Sequence, residues 1–126
     1  MGKNFDAVWN AGMAAMKAGA IRVAFCSAQP ADYAGIAAVT LGTLTISSTD
    51  FDDPADHSPS GRELGFNGKT GMTITGAATT TEGNHLVFHD NSSVLWGVTT
   101  TTAKDVINDD VVDIPACIVP YALDPA

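Results

Sequence analysis

Residues 84–102 constrain the fold of this chain more than any other stretch. Two runs rich in β-branched and aromatic residues flank a short polar turn at residues 91–93, a pattern that is typical of a β-hairpin. The alternating apolar residues are Leu86 and Phe88 in the first run and Val94, Trp96 and Val98 in the second. Because side chains alternate between the two faces of a strand, each set is expected to share one face. The pattern predicts a half-buried antiparallel pair with Trp96 turned inward.

An N-terminal helix is predicted over residues 4–18. Asn4 is expected to cap its start and Gly19 to end it, and Lys17 in the last turn suits the helix dipole. The apolar stripe at helical spacing consists of Phe5, Val8, Trp9, Gly12, Met13 and Met16. Two interpretations of this stripe remain open: it packs on the β core, or it docks on a neighbouring subunit. An exposed Trp9 and Met pair would indicate the second.

The rest of the chain is organised as short strands. Alternating or apolar runs occupy residues 20–26, 41–47, 71–75, 106–107 and 111–119. Pro115 and Pro120 are expected to place the last run at a sheet edge. Residues 48–70 are predicted to form a long acidic loop, broken by a short strand near residues 63–66. The chain is therefore predicted to be mainly β: one domain over residues 1–126, with an antiparallel β-sandwich of about seven short strands over residues 20–120 and one N-terminal helix.

Charge and cysteine content exclude several classes of partner. The formal net charge is −8 and the six basic residues are scattered, whereas nucleic acid requires clustered Lys and Arg, so no nucleic-acid partner is expected. No apolar run approaches the length that a bilayer requires, so no membrane partner is expected. Cys26 and Cys117 each lie in an apolar run, which favours buried free thiols, with a disulfide as the alternative.

Three clusters contain residue types that can form chemical sites. His85 and His89 on one strand would lie roughly 13 Å apart, too far to share one metal ion. The carboxylates of residues 50–56 are interpreted as a solvated acidic loop, with structural calcium as the alternative, because the Gly and the distal Glu of a calcium-binding loop are missing. Residues 105–113 receive the same interpretation. No nucleophile elbow or Cys–His arrangement is present, so the prediction is a protein that is not an enzyme, with no cofactor, no catalytic residue and no metal site.

Residues 83–125 carry a pattern of strand and turn residues that resembles a known family. Its members share a His, an alternating apolar segment and an Asp, then Leu-aromatic-x-Val-Thr-Thr, then Val-x-Ile-Pro and a terminal Asp-Pro. In this chain those positions are His85, Leu86 to Phe88, Asp90, Leu95, Trp96, Val98, Thr99, Thr100, Val112, Ile114, Pro115, Asp124 and Pro125. The segments Ser60-Gly61-Arg62, Thr70-Gly71-Met72-Thr73 and Ile21-Arg22-Val23 also match. The chain thus resembles small virion structural proteins of tailed bacteriophages, in particular the β-domain capsid decoration, or cement, proteins.

The resemblance implies a structural role and no catalytic residues. The expected function is that of a capsid decoration or minor head protein, which stabilises the shell by binding the major capsid protein. It would be located in the virion after assembly in the host cytoplasm, as a homo-oligomer and most simply a trimer. A tail-tube or tail-terminator component and a module that binds carbohydrate or a host surface are the alternatives. The candidate contact residues are Phe5, Trp9 and Met13 as apolar anchors and Asp50, Asp52, Asp53 and Asp56 as charge complements.

Overall fold

A computed structural model describes the backbone of residues 3–56 and 62–122 and the side chains of residues 9–56 and 62–118. The fold is mainly β, with antiparallel sheets and one N-terminal helix in a sandwich-like arrangement. Nine strands lie within the described residues. The elements are α1 (Lys3–Gly19), β1 (Arg22–Cys26), α2 (Ile36–Val39), β2 (Thr40–Thr45), β3 (Ala55–Asp56), β4 (Arg62–Phe66), β5 (Lys69–Thr73), β6 (Thr81–His89), β7 (Leu95–Val106), β8 (Val111–Ile114) and β9 (Cys117–Ala122).

Three antiparallel sheets make up the β structure. A four-stranded sheet has the order β2-β1-β6-β7, a three-stranded sheet has the order β3-β4-β9, and β5 pairs with β8. The main core lies on one face of the four-stranded sheet, where Val23 and Phe25 of β1 meet residues of the two smaller sheets and of α1. The intervening residues of β1, Ala24 and Cys26, point to the opposite face and pack under residues 33–39. Strand β1 is therefore buried on both faces, as its uninterrupted apolar run requires.

The hairpin prediction is confirmed, with one correction. Strands β6 and β7 pair in antiparallel register, and Leu86 and Phe88 are fully buried. Phe88 lies opposite Gly97 whereas His89 lies opposite Leu95, so Trp96 is the extra residue of a β-bulge. Trp96 packs against the main core while Val98 packs against the cluster on the other face. The expectation that these two side chains share a face was wrong, because the bulge reverses the alternation between them.

The N-terminal helix is confirmed, but its ends differ from the prediction. Helix α1 spans Lys3–Gly19, so Asn4 lies within its first turn and is not the residue that precedes it. Gly19 ends the helix, yet it is not among the residues with a left-handed backbone. A glycine is required there for a different reason: a Cβ at Gly19 would lie 2.5 Å from Cζ2 of Trp96.

The last predicted strand is divided at Pro115. Strand β8 ends at Ile114 and pairs with β5, whereas β9 begins at Cys117 and pairs with β4 in a different sheet. Proline removes a backbone donor and fixes φ, so the chain leaves one sheet and enters the next at this residue. Both resulting strands lie at a sheet edge, as the prolines indicated.

The segment predicted as a long acidic loop is more ordered than its composition indicates. It contains a 3₁₀ turn at Ser48–Asp50, the short β3, and β4, which confirms the strand expected near residues 63–66. Phe51 in this segment is buried, and its ring lies 5.5 Å from Phe66 and 5.8 Å from Phe88 between centroids. Aromatic contacts at this range hold the segment against the core.

Candidate partner-contact surface

The inward side of α1 belongs to the core. Met13 is only 5% exposed and Met16 is also buried, both within the main core cluster. Met13 is therefore removed from the candidate contact residues, because its side chain is already covered by this chain. Trp9 is half-buried against the same cluster, and no exposed pair of Trp9 and methionine is formed. The side chain of Phe5 lies outside the described residues.

The outward side of α1 consists of small residues that the sequence interpretation overlooked. Ala11, Ala14, Ala15 and Ala18 are exposed and fall on one side of the helix at spacings of three and four residues. We call these four residues the alanine face. Gly12 borders it, and a Cβ at Gly12 would meet nothing within 4 Å. The sequence signal for this face is the spacing of the four alanines, which recur every three or four residues on the side of the helix opposite the large apolar stripe.

Two further apolar side chains are exposed near the end of the helix. Ile21 is 43% exposed and Val94 is 38% exposed. The Ile21 amide donates to the carbonyl of His89 at 3.1 Å, and the Asp90 amide donates to the carbonyl of Val94 at 3.1 Å. Both residues therefore lie at the end of the four-stranded sheet where β6 turns into β7. Because Gly19 also contacts Trp96 of β7, the end of α1 and the hairpin tip adjoin one another.

The hairpin tip that presents Val94 is held by one carboxylate. Oδ1 of Asp90 accepts hydrogen bonds from the amides of Ser92, Ser93 and Val94 at 2.8–2.9 Å. These amides, with that of Val94 contributing most, lower the pKa of Asp90 below its ordinary value. Asn91 takes the left-handed conformation, with φ of 60°, that the tight turn requires. Asp90, which belongs to the family pattern, thus has a structural role.

Three of the four candidate carboxylates form ion pairs within the chain. Asp53 accepts from Lys17 of α1 at 2.8 Å, Asp56 from Arg62 of β4 at 2.6 Å, and Asp50 from Lys69 of β5 at 3.0 Å. These pairs join residues 50–56 to α1, β4 and β5. The carboxylates of Asp53 and Asp56 nevertheless remain more than 90% exposed, so they still face solvent on the side away from their lysine or arginine.

Asp50 has a further structural bond, and Asp52 is the one candidate carboxylate without an ion pair described above. Asp50 also accepts from the amide of Ser47 at 2.9 Å, as one half of a capping box. Asp52 is exposed, and its Oδ2 would lie 3.2 Å from a Cβ at Gly65. Within residues 9–56 and 62–118, no group of three or more His, Cys, Asp or Glu side chains could hold a metal ion.

Both cysteines are free thiols, as the sequence favoured. Cys26 is buried and Cys117 is half-buried. Burial raises the pKa of each thiol to about 11. His85 and His89 lie four residues apart on β6. The prediction that both histidines are on one strand is therefore confirmed.

Two concave regions lie away from the alanine face. A groove of about 320 Å³ runs between β7 and β8, with an apolar floor that includes Phe25, Leu86 and Ile114. A cavity of about 380 Å³ lies beside residues 33–37, with Tyr33 and His89 in its wall.

Comparison of the chain with protein-family models, with curated proteins and with solved structures found no match. Among the described residues, none of the helices combines the length and apolar character needed to cross a membrane.

Proposed function

We propose that this protein is a structural component of a bacteriophage virion, a capsid decoration or minor head protein that binds the major capsid protein. The observation that carries the proposal is the surface formed by the alanine face, Ile21 and Val94. The surface is apolar and uncharged, whereas the chain as a whole has a net charge of −8. An exposed apolar patch on a folded domain is a usual mark of a protein–protein contact.

The shape of this surface suits contact with a flat protein shell. Alanine side chains let the backbone of a helix approach its partner closely, and they lose no rotamer entropy when they are covered. The helix is anchored from behind by Met13 and Met16 in the core and at its end by the Gly19–Trp96 contact. The contact surface is therefore rigid before binding, which reduces the entropic cost of association.

The acidic segment supplies a second, electrostatic part of the proposed contact. It lies next to α1, because Lys17 of the helix pairs with Asp53. The exposed carboxylates of Asp52, Asp53 and Asp56 face solvent near that helix and can complement basic residues of a capsid protein. The proposed contact thus includes three of the candidate carboxylates, Asp52, Asp53 and Asp56, and has the alanine face in place of Met13.

The family resemblance and the fold are compatible with this role. The matched positions in the described residues have scaffold functions: Asp90 holds the hairpin tip, Trp96 packs on Gly19, and Pro115 separates β8 from β9. They define a rigid mainly β domain, and the proposed contact residues lie on its periphery. A trimer placed at a symmetry axis of the shell is the assembly that we propose.

Co-sedimentation with preformed shells tests the proposal. Purified protein is mixed with shells assembled from the major capsid protein of the same genome and, separately, with isolated tails. We expect saturable binding to shells, which Ala15→Arg in the alanine face abolishes. Ala38→Arg is the matched control, since Ala38 is also an exposed helical alanine but lies on α2, on the opposite face of the four-stranded sheet. Binding to tails alone, or polymerisation into rings or tubes without shell binding, would support the tail alternative and contradict the proposal.

A further inference from the structure

Three buried nitrogen donors on the four-stranded sheet have no partner among the described residues. One is Nε1 of Trp96, which packs against the main core. The other two are Nε of Arg22 and Nε2 of His89, and the whole His89 side chain is only 5% exposed. Nδ1 of His89 accepts a hydrogen bond from the amide of Asn91 at 2.9 Å. In the neutral imidazole the proton is therefore on Nε2, so both orphan nitrogens are donors and neither can satisfy the other.

The two donors are neighbours on one face of the sheet. Arg22 of β1 lies directly opposite His89 of β6 in the antiparallel register, and directly opposed residues project to the same face with Cβ atoms about 5 Å apart. Burial lowers the pKa of His89, and the positive charge of Arg22 lowers it further, while Asp90 opposes the shift. The carboxylate of Asp90 is already bonded to the amides of residues 92–94.

A cavity of about 380 Å³ lies on the same side of the four-stranded sheet, and His89, which lies opposite Arg22 in the register, forms part of its wall. Arg22 itself is not a lining residue. Its other walls combine apolar and polar groups: Tyr33, Ile36 and Ala37 on one side, Thr43 and Asn91 on the other. The volume is within the range of small-molecule sites. The Tyr33 ring stands edge-on to the imidazole, with centroids 5.7 Å apart, and it is only half-buried, so it can turn aside.

We propose that this cavity binds a small monocarboxylate, with the carboxylate on Arg22 and His89 and the apolar body along Tyr33 and Ile36. Two adjacent donors with no acceptor fit a ligand that supplies only acceptor oxygens, and the Nε edge of a guanidinium matches a carboxylate in geometry. One guanidinium balances one negative charge. A phosphate dianion would leave a charge uncompensated in a chain of net charge −8. Because both nitrogens are covered, the side chains around them, including Tyr33 beside His89, must move when the carboxylate enters. This site is independent of the proposed virion role.

Nuclear magnetic resonance with matched probes tests the site directly. Butyrate is titrated into ¹⁵N-labelled protein, with butyramide as the neutral analogue of the same shape and inorganic phosphate as the competing anion. With butyrate, we expect saturable changes in the chemical shifts of the Arg22 Nε–H and of the His89 imidazole. Butyramide and phosphate should produce much smaller changes. Equal shifts with butyramide, stronger binding of phosphate, or no saturation with butyrate up to about 50 mM would each overturn the proposal, the last because water alone then suffices for the donors.

Three variants complete the test. Arg22→Gln and His89→Gln should each weaken butyrate binding about tenfold or more, because each removes a hydrogen bond to a charged oxygen. His85→Gln is the matched control, since His85 lies on the same strand but neither lines the cavity nor lies opposite Arg22, and it should bind like the unaltered chain. Equal weakening by all three changes would overturn the assignment. If an altered chain fails to fold, the comparison of butyrate with butyramide on the unaltered chain still tests the proposed site.

Discussion

Gly19 at the end of α1 lies against the indole of Trp96 in β7, 77 residues away in the chain. A Cβ at Gly19 would lie 2.5 Å from Cζ2, 2.7 Å from Cε2 and 2.8 Å from Nε1 of that ring. This contact joins the end of the N-terminal helix to the hairpin. The relationship between the two residues depends on the absence of a side chain at Gly19.

The first prediction concerns this contact. Gly19→Ala should lower the free energy of unfolding by about 1–3 kcal/mol, because the added methyl group displaces a packed indole. Gly12→Ala is the control in the same helix, where a Cβ meets nothing within 4 Å. It should raise stability by about 0.5–1 kcal/mol, since glycine is unfavourable within a helix. Urea unfolding monitored by tryptophan fluorescence measures both, and equal stability of the two variants would contradict the packing described.

The second prediction separates a structural carboxylate from a solvated one. Asp50→Ala should destabilise the chain by about 1–2 kcal/mol, because Asp50 completes a capping box with Ser47 and also binds Lys69. Asp53→Ala should leave the unfolding midpoint unchanged, because its carboxylate is 93% exposed and screened by water. Thermal unfolding of the two variants tests this. A larger loss of stability in Asp53→Ala than in Asp50→Ala would contradict the structural role assigned to Asp50.

The third prediction concerns the thiols. Cys26 and Cys117 have pKa values of about 11, so only roughly 0.1% of each is thiolate at pH 8. A disulfide reagent such as dithiobis-nitrobenzoate should react slowly with the native chain, and both thiols should react at once in urea. Rapid reaction of Cys26 in the native state, or a total of fewer than two thiols in urea under non-reducing conditions, would contradict the assignment of two protected free cysteines.

The fourth prediction follows from the lowered pKa of His89, for which 6.5 is the ordinary value. The unfolded chain takes up a proton near pH 6.5, whereas the folded chain does so only at lower pH. The unfolded state therefore binds more protons in this window, and stability should fall as the pH is lowered below about 6.5. His89→Gln should remove this part of the pH dependence between pH 6.5 and 5. If the slope were the same in both chains, the imidazole would be solvated and not buried beside Arg22.

Local patterns predicted the elements of this fold well. Alternation located the hairpin and the buried faces of Leu86 and Phe88, and the apolar stripe of the helix correctly contained Met13 and Met16. The spacing of the apolar residues in α1 could not show whether the core or a partner covers them. Met13 was assigned both to the core and to a partner, and only the packing of α1 on the β sheets removed it from the contact residues.

Features that depend on distant residues were not predictable. The bulge at Trp96 turns its side chain to the face opposite that of Val98, although the sequence alternates regularly there. The bulge comes from a register shift against β6, which the sequence of β7 alone does not reveal. Ion pairs such as Lys17–Asp53 span 36 positions, so the acidic segment was predicted as a solvated loop. The donor pair of Arg22 and His89 was missed for the same reason, since it exists only because β1 pairs with β6.

A reconstruction of the virus particle that contains this protein tests the central proposal most directly. We predict density for the chain on the outer surface of the capsid, at a symmetry axis, with Ala11, Ala15 and Ala18 of α1 turned towards the major capsid protein. Density in the tail tube or at the tail terminus, or density on the shell with this side of the helix facing solvent, would contradict the proposal.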